Sequence, residues 1–320
     1  MMFGRRLRSI AGWVRLEPLA AVVLWGGIYP GARLGLAEIP PLAFTYLRVV
    51  LAACVLALAS TGGGSPPISR RLWGSILQAG LAQAAFQLLL IAGLARTTAG
   101  TSAILLAAAP LLTAGWLALT GKEQLPGRYW IGLAVGLTGV ALVVRGGASG
   151  LGREQVLGNG IAFAAAGAWA AFSLAIAPLA GALGAVRATK WSMVVAGIVL
   201  TPFAVGGTVH LDWARISWPA WAGLVYGATA GMVVAMSLWG RSMHRLGPTE
   251  TMVYVYLEPV SAVLIAAAVL GERLAPGQIA GAALTFAGVW VASIMRPTSE
   301  RTRPDAPEVS VGRAARPPGG

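Results

Sequence analysis

The segment from residue 157 to residue 179 is LGNGIAFAAAGAWAAFSLAIAPL, a run of 23 residues without Asp, Glu, Lys or Arg. A helix needs roughly 20 mostly apolar residues to cross a bilayer core about 30 Å thick. The strands of a membrane barrel would instead alternate polar and apolar residues, and this run does not. The segment therefore predicts a helix that spans a membrane.

Similar apolar runs fill most of the remaining chain, of which 57% is hydrophobic and only 11% is charged. Breaks at Pro, Gly and charged residues separate nine further windows, at about 17–36, 41–60, 72–93, 99–120, 128–145, 187–205, 218–240, 248–270 and 275–295. The sequence predicts an all-α integral membrane protein with ten transmembrane helices.

The net charge of +13 is explained by its placement. With a cytoplasmic N-terminus, most Lys and Arg residues fall in the inner loops and the tails, and fewer fall on the outer side. This is the positive-inside asymmetry of inner-membrane proteins. We therefore expect a multi-pass protein of the inner (plasma) membrane with both termini cytoplasmic, a lipid bilayer around it and no nucleic-acid partner.

The two halves of the chain resemble each other when the sequence is shifted by 149 residues. The shift superposes residues of matching type, among them the pairs Arg96–Arg245, Pro110–Pro259, Glu123–Glu272, Gly132–Gly281 and Gly139–Gly288. Five helices per half is an odd number, so the second half must enter the membrane from the opposite side. The sequence predicts a 5+5 inverted-topology repeat, an arrangement of secondary transporters that bind substrate between the halves.

The repeat sets the expected domain organisation. It consists of a cytoplasmic N-terminal segment 1–16, a first repeat 17–147, a second repeat 148–296 and a disordered cytoplasmic tail 297–320, which is rich in Pro, Arg and Gly.

Several short motifs carry a family resemblance. They are Leu24-Trp25-Gly26-Gly27, Ile39-Pro40-Pro41-Leu42 leading to Leu47-Arg48, Leu257-Glu258-Pro259-Val260 and Gly271-Glu272-Arg273-Leu274. Together with the duplication, they make residues 17–295 resemble two EamA domains of the drug/metabolite transporter superfamily. The resemblance implies a helical exporter in the inner membrane, commonly for amino acids or related metabolites. The halves differ where Ala109 precedes Pro110 but Glu258 precedes Pro259.

Charged residues inside the predicted membrane are functional candidates because they are costly to insert. Arg48 lies in the second window and Glu258 in the ninth, beside Pro259. A buried Arg48–Glu258 ion pair, or an Arg48 held by backbone carbonyls, would be structural. A desolvated Glu258 that takes up a proton would instead couple transport to the proton gradient. The sequence leaves both roles open.

Uncharged polar and aromatic residues form the candidate substrate site. They are Trp25, Tyr29, Gln83, Gln87, Trp169, Ser173, Tyr226 and Tyr254, several of them spaced four apart on one helix face. Each alone is compatible with helix packing. Together, aromatic walls with a few amides suit a small amphipathic organic solute.

The residue inventory argues against an enzyme. The only Asp and His residues are Asp212, Asp305, His210 and His244, which the sequence predicts outside the hydrocarbon core. Clustered His and carboxylates of a metal hydrolase are missing, and so is a phosphate-binding Gly-Lys-Ser/Thr loop. We expect no metal and no cofactor, and a monomer or weak dimer. The predicted function is a secondary transporter that exports metabolites such as amino acids; the alternative is an intramembrane enzyme acting on a lipid or small hydrophobic substrate.

Overall fold

The structure is a computed structural model that describes residues 16–60, 67–96, 102, 105–144, 153–270 and 276–294. Within these ranges the chain forms helices and turns, without a β-strand. The segment 146–152 between the predicted repeats, the tail 297–320 and the motif at 271–274 lie outside the described residues.

Most helices follow the apolar windows of the sequence, with ends displaced by a few residues, but the predicted helices at 99–120 and 248–270 are broken, and their main parts begin only at Ala109 and Leu257. We number the longer ones α1 Leu16–Leu36, α2 Pro41–Ala59, α3 Arg70–Leu94, α4 Ala109–Leu119, α5 Gly127–Val144, α6 Arg153–Leu183, α7 Ala185–Val209, α8 Trp218–Arg245, α9 Leu257–Leu270 and α10 Pro276–Ile294.

Six of the described helices are long and apolar enough to cross a membrane. They are α1, α2, α3, α6, α7 and α8, whose candidate spans contain 19 to 28 residues each. The backbone hydrogen bonds of such helices are satisfied within each segment, as the bilayer core requires. The predicted class, an all-helical membrane protein, is confirmed at this level.

Two apolar windows are broken at equivalent positions of the two halves. In the first half a turn at 107–108 precedes α4, and Ala108 N–H donates to Leu105 O at 3.0 Å. In the second half a short helix Pro248–Met252 and a 3-10 turn Val253–Tyr256 precede α9. Proline lacks an N–H, so Pro110 and Pro259 cannot continue the helical ladder of the preceding turn. Glu258 consequently lies in the first turn of α9.

Helix α8 contains a wide π-helical stretch at Gly227–Ala235 between two α-helical parts. Wide turns of this kind are rare and occur frequently at functional sites. Its glycines allow close contacts with neighbouring helices. A β-carbon on Gly227 would lie 2.6 Å from Arg48 Cδ, and one on Gly231 would overlap the Ile28 side chain. The stretch therefore presents its backbone closely to α1 and α2.

The helix contacts have an internal two-fold pattern. Helix α2 packs on α7 and α5 packs on α10, which pairs equivalent helices of the two halves. Two further contacts are equivalent to each other. Helix α3 of the first half corresponds to α8 of the second, and α6 corresponds to α1, so the contact of α3 with α6 is repeated as the contact of α8 with α1.

Glycines that match between the two halves lie at the α5–α10 crossing. A β-carbon on Gly139 would lie 2.8 Å from Gly281 O, and one on Gly132 would lie 2.7 Å from Ala292 N. Small residues allow helix backbones to approach in membranes, where apolar burial gives little driving force. The glycines repeated at a shift of 149 thus have a packing role in this crossing.

Candidate functional site

One cavity of about 470 Å³ lies among the helices. Its lining comes from the middle of the helices and from one end of the bundle. At that end α1 finishes at Leu36, α2 begins at Pro41 and α3 finishes at Leu94, and these three residues all line the cavity. We call this end the open end and the opposite one, where α1 begins and α8 finishes, the closed end. A pocket of this size suits a small organic molecule.

An aromatic cluster forms the bottom of the cavity. The Trp25 and Trp169 rings meet edge to face, with centroids 5.3 Å apart, and the Phe86 ring lies 5.1 Å from that of Trp169. Trp239 packs behind them, 5.1 Å from Trp25 and 5.9 Å from Trp169. Helices α1, α3, α6 and α8 each supply one of these rings, so the cluster joins both halves of the chain.

Hydrogen bonds hold two of these rings in place. The Trp25 indole N–H donates to Gly231 O in the π stretch of α8, at 3.0 Å. The Trp239 indole N–H donates to Ser173 Oγ at 3.2 Å. Buried indole donors usually find such partners because an unpaired N–H is costly. Ser173 therefore supports the cluster from behind and does not line the cavity.

Polar side chains line the cavity beside the aromatic cluster. Gln83 and Gln87 are buried on α3, one turn apart, and Thr45 is buried on α2. Gln83 Oε1 and Ser102 Oγ have no hydrogen-bond partner among the described residues. Buried polar atoms are rarely unpaired in protein interiors, so an unpaired one calls for an explanation. Both of these residues line the cavity, where a bound solute could supply the missing partner.

Arg48 and Glu258 both line the cavity. Arg48 lies on α2 with its guanidinium carbon 5.2 Å from the centre of the Phe44 ring. Glu258 is held near α1, because the Ser261 hydroxyl lies 3.0 Å from Val22 O and 2.9 Å from Glu258 O. The described lining of the cavity thus contains one basic and one acidic side chain, which come from opposite halves of the chain.

The structure separates the proposed site residues into two groups. Trp25, Gln83, Gln87, Trp169, Arg48 and Glu258 line the cavity. The Tyr226 hydroxyl donates to Leu24 O at 3.1 Å and packs on Gly27, outside the lining. Tyr254 is buried but does not line the cavity, whereas its neighbour Val255 does. Successive residues of a 3-10 turn point in different directions, so only one of these two side chains faces the cavity. The side chain of Tyr29 lies outside the described residues.

Sequence reasoning missed several apolar lining residues. Phe86 lies between Gln83 and Gln87, and Met232 and Met236 lie four apart on α8. Leu106 and Val255, which are equivalent at a shift of 149, line the cavity one turn before the two helix-breaking prolines. The matched prolines were a signal for this pair. The methionines carry no signal that distinguishes them from ordinary packing residues.

The closed end is held by polar contacts between the halves. Glu17 Oε1 lies 3.3 Å from Nη1 of both Arg241 and Arg245, joining the start of α1 to the end of α8. Thr249 Oγ1 donates to Glu123 Oε2, and the buried Tyr129 hydroxyl donates to Thr249 O at 2.8 Å. None of these residues lines the cavity.

Metal chemistry finds no support in the part of the chain that the structure describes. It contains no group of three or more His, Cys, Asp or Glu side chains placed to hold a metal ion. The single cysteine, Cys54, is exposed on α2. The polar side chains of the described cavity lining carry amide, hydroxyl, guanidinium and carboxylate groups.

Comparison with known proteins identifies the family. The model of the EamA-like transporter family matches residues 16–145 and again residues 156–294. The chain belongs to the EamA-like transporter family. The resemblance of its motifs to EamA domains of the drug/metabolite transporter type is confirmed, and the chain is a multi-pass membrane transporter.

Two relatives carry names that describe export. The "Probable terminal-alkyne amino-acid exporter" of Streptantibioticus cattleyicolor is 27% identical over 88% of this chain and 93% of its own length. The "Probable amino-acid metabolite efflux pump" of Escherichia coli K12 is 28% identical over 85% of this chain and 92% of its own length. A solved crystal structure shares the fold with a TM-score of 0.73 at 18% identity, covering 88% of this chain and 97% of that one.

Proposed function

We propose that this protein is a secondary transporter that exports small organic metabolites such as amino acids across the inner membrane. The observation that carries the proposal is the cavity of about 470 Å³ at the centre of an EamA-family helical bundle, lined by residues from both halves. The names of the relatives support an amino-acid-like solute. The cavity contains an aromatic floor and amide side chains, which suit such a solute.

We propose ten crossings in a 5+5 inverted repeat, with both termini cytoplasmic. The two family matches, the equivalent breaks before Pro110 and Pro259 and the two-fold pattern of helix contacts support the repeat. Discontinuous helices at the interface of repeats are a recurrent feature of such transporters. The positive-inside asymmetry supports the orientation. In this orientation the open end of the cavity faces away from the cytoplasm.

We propose that Glu258 couples export to proton entry. It is the acidic side chain of the described cavity lining, and it lies beside the helix break of the second half. A carboxyl group that is protonated in one state of the cycle and ionised in the other exchanges one proton for one solute. One-proton exchange supports a solute concentration ratio of up to about tenfold per pH unit.

The test is transport by the purified full chain in liposomes. Acid-inside liposomes should accumulate a radiolabelled amino acid from a panel, whereas liposomes without a pH gradient should only equilibrate it. Glu258→Gln mimics the neutral acid and should abolish the gradient-driven accumulation while amino-acid exchange continues. Glu154→Gln changes an exposed carboxylate at the start of α6 and serves as the control. Unchanged pH dependence in Glu258→Gln would refute the coupling role, and absence of transport for the whole panel would refute the amino-acid exporter.

A further inference from the structure

The surroundings of Arg48 distinguish it from a purely structural charge. Arg48 Nε is buried and has no hydrogen-bond partner among the described residues. Its guanidinium lies over the Phe44 ring, and its aliphatic part lies against Gly227, where any side chain would collide with it. These two contacts fix the side chain along the cavity wall and leave hydrogen-bonding capacity unused. An arginine fixed in this way loses little conformational freedom when it binds a planar anion.

Unused polar atoms occur at three places around the same cavity. Besides the donor Arg48 Nε, they are Gln83 Oε1 on α3 and Ser102 Oγ before α4, and the Gln83 and Ser102 side chains are each only 1% exposed. All three residues line the cavity. Burial of unpaired polar atoms is unfavourable. The lining is therefore complementary to a solute that brings an acceptor to Arg48 and a donor to Gln83.

We propose that Arg48 binds the carboxylate of the transported solute. In this arrangement Gln83 Oε1 accepts a hydrogen bond from an amino group of the same solute. The apolar or aromatic part of the solute packs against Trp25, Phe86 and Trp169. Guanidinium and carboxylate form two parallel charge-assisted hydrogen bonds, which gives both affinity and orientation. The proposal rests on the proposed export function and assigns its substrate class, a zwitterionic or monoanionic carboxylate with a hydrophobic side chain.

The charges of the lining favour a carboxylate over a phosphate. The described lining carries one basic side chain, Arg48, and one acidic side chain, Glu258. A phosphate dianion would be only half neutralised by the single guanidinium of Arg48, and the Glu258 carboxylate in the same cavity would repel it. A carboxylate needs only the single guanidinium, and an ammonium group on the same solute is tolerated by Glu258 and attracted by aromatic faces.

The test uses three probes with the same aromatic body. They are L-phenylalanine, L-phenylalaninamide, which lacks the carboxylate, and 3-phenylpropionate, which lacks the amine. Binding to the purified full chain is measured by thermal stabilisation and equilibrium dialysis. The wild type should bind both acids at least tenfold more tightly than the amide. Arg48→Gln should remove this preference, because it deletes the charge but keeps a hydrogen-bonding side chain.

Two further variants keep the test decisive. Arg48→Lys keeps the positive charge without the bidentate geometry, and it should keep the preference for acids while weakening their binding several-fold. Arg70→Gln removes an exposed arginine at the start of α3 and should change nothing. If Arg48→Gln does not fold, the Arg48→Lys result decides, and Arg48→Lys binding that equals the wild type overturns the proposal.

The outcomes separate this proposal from the export function. Phenylalanine transport and acid preference that persist in Arg48→Gln overturn the role of Arg48 and leave the exporter intact. Acid binding that depends on Arg48, without transport of any amino acid, supports the anchor and overturns the exporter. Equal binding of acid and amide by the wild type, or binding of none of the three probes, overturns the proposed substrate class.

Discussion

The two ends of the helical bundle differ in how their charges are used. At the open end the ion pair Arg96–Glu154 is exposed and 4.0 Å long, and the cavity lies beside it. At the closed end one carboxylate, Glu17, with a side chain only 13% exposed, serves two arginines at 3.3 Å. Exposed pairs contribute little, whereas a partly buried carboxylate shared between two cations contributes more. The comparison indicates that the polar contacts between the halves are exposed at the open end and are built around a partly buried carboxylate at the closed end.

This difference fits one state of an alternating-access cycle. The closed-end contacts join the start of α1 and the end of α8, which belong to different halves of the chain. Contacts of this kind can break and re-form at little cost in covalent or backbone strain. The aromatic cluster of Trp25, Trp169 and Trp239 lies between the two ends. It separates the cavity from the ion pairs below it.

The largest effect is expected at the wall of the open end, where α1 meets α8. A β-carbon on Gly223 would overlap the backbone carbonyl of Gly31, which cannot move without displacing a helix. Gly223→Ala should lower the free energy of unfolding by about 1–3 kcal/mol, the range for overpacked sites. The measurement is the thermal unfolding midpoint in detergent, with monodispersity in gel filtration.

The matched control for this change is Gly167→Ala in α6. A β-carbon there meets nothing within 4 Å, so the midpoint should stay within error of the wild type. Equal midpoints for Gly223→Ala and Gly167→Ala would show that the open end lacks a rigid α1–α8 wall.

An intermediate effect is expected from Glu17→Gln at the closed end. The change removes the charge between Arg241 and Arg245, which would then repel each other. Partly exposed pairs are worth about 0.5–1 kcal/mol, which corresponds to roughly two- to fivefold faster local opening. Amide hydrogen exchange at residues 241–246 measures this opening. The same exchange should not change in Glu154→Gln, which breaks only the exposed pair with Arg96. Exchange that is equally slow in Glu17→Gln and the wild type would contradict the assigned role of the closed-end pair.

The smallest effect is expected from pH at the open end. Glu38, in the loop before α2, accepts hydrogen bonds from the hydroxyl and the backbone N–H of Ser217, each 2.6 Å long. The Ser217 hydroxyl and then its backbone N–H lower the pKa of the Glu38 carboxyl below its usual value of 4.5. A lowered folded-state pKa gives stability that is present above the unfolded pKa and is lost as the pH falls through the folded value.

The measurement for Glu38 is the unfolding midpoint of the wild type and Glu38→Gln as the pH is lowered from neutral to below about 4. The wild type should lose a small advantage over the variant in the acid range. Because Glu38 is exposed, this difference in stability should be smaller than the effects of Gly223→Ala and Glu17→Gln. A difference that stays constant over the whole pH range would show that Glu38 acts by its shape and not by its charge.

The sequence supplied part of the cavity because polar residues in apolar helices are conspicuous. Gln83, Gln87, Arg48 and Glu258 stand out against the hydropathy of their windows, and all four line the cavity. Ser173 shared that signal but supports Trp239 from behind. Hydropathy distinguishes polar from apolar residues, but it does not tell a polar contact to a solute from one to a neighbouring helix.

By itself the sequence determined the helical membrane class, the family and the matched prolines, but it predicted the windows 99–120 and 248–270 as unbroken helices. These properties are local, because span length, proline and glycine act within one or two turns of the chain. The tertiary structure decided which residues meet. It brought Trp25 to Gly231 and Glu17 to Arg241 across more than 200 residues, and it directed the cavity to one end of the bundle. Such pairings depend on the rotation and depth of each helix against its neighbours, and small residues at the crossings set these through close packing.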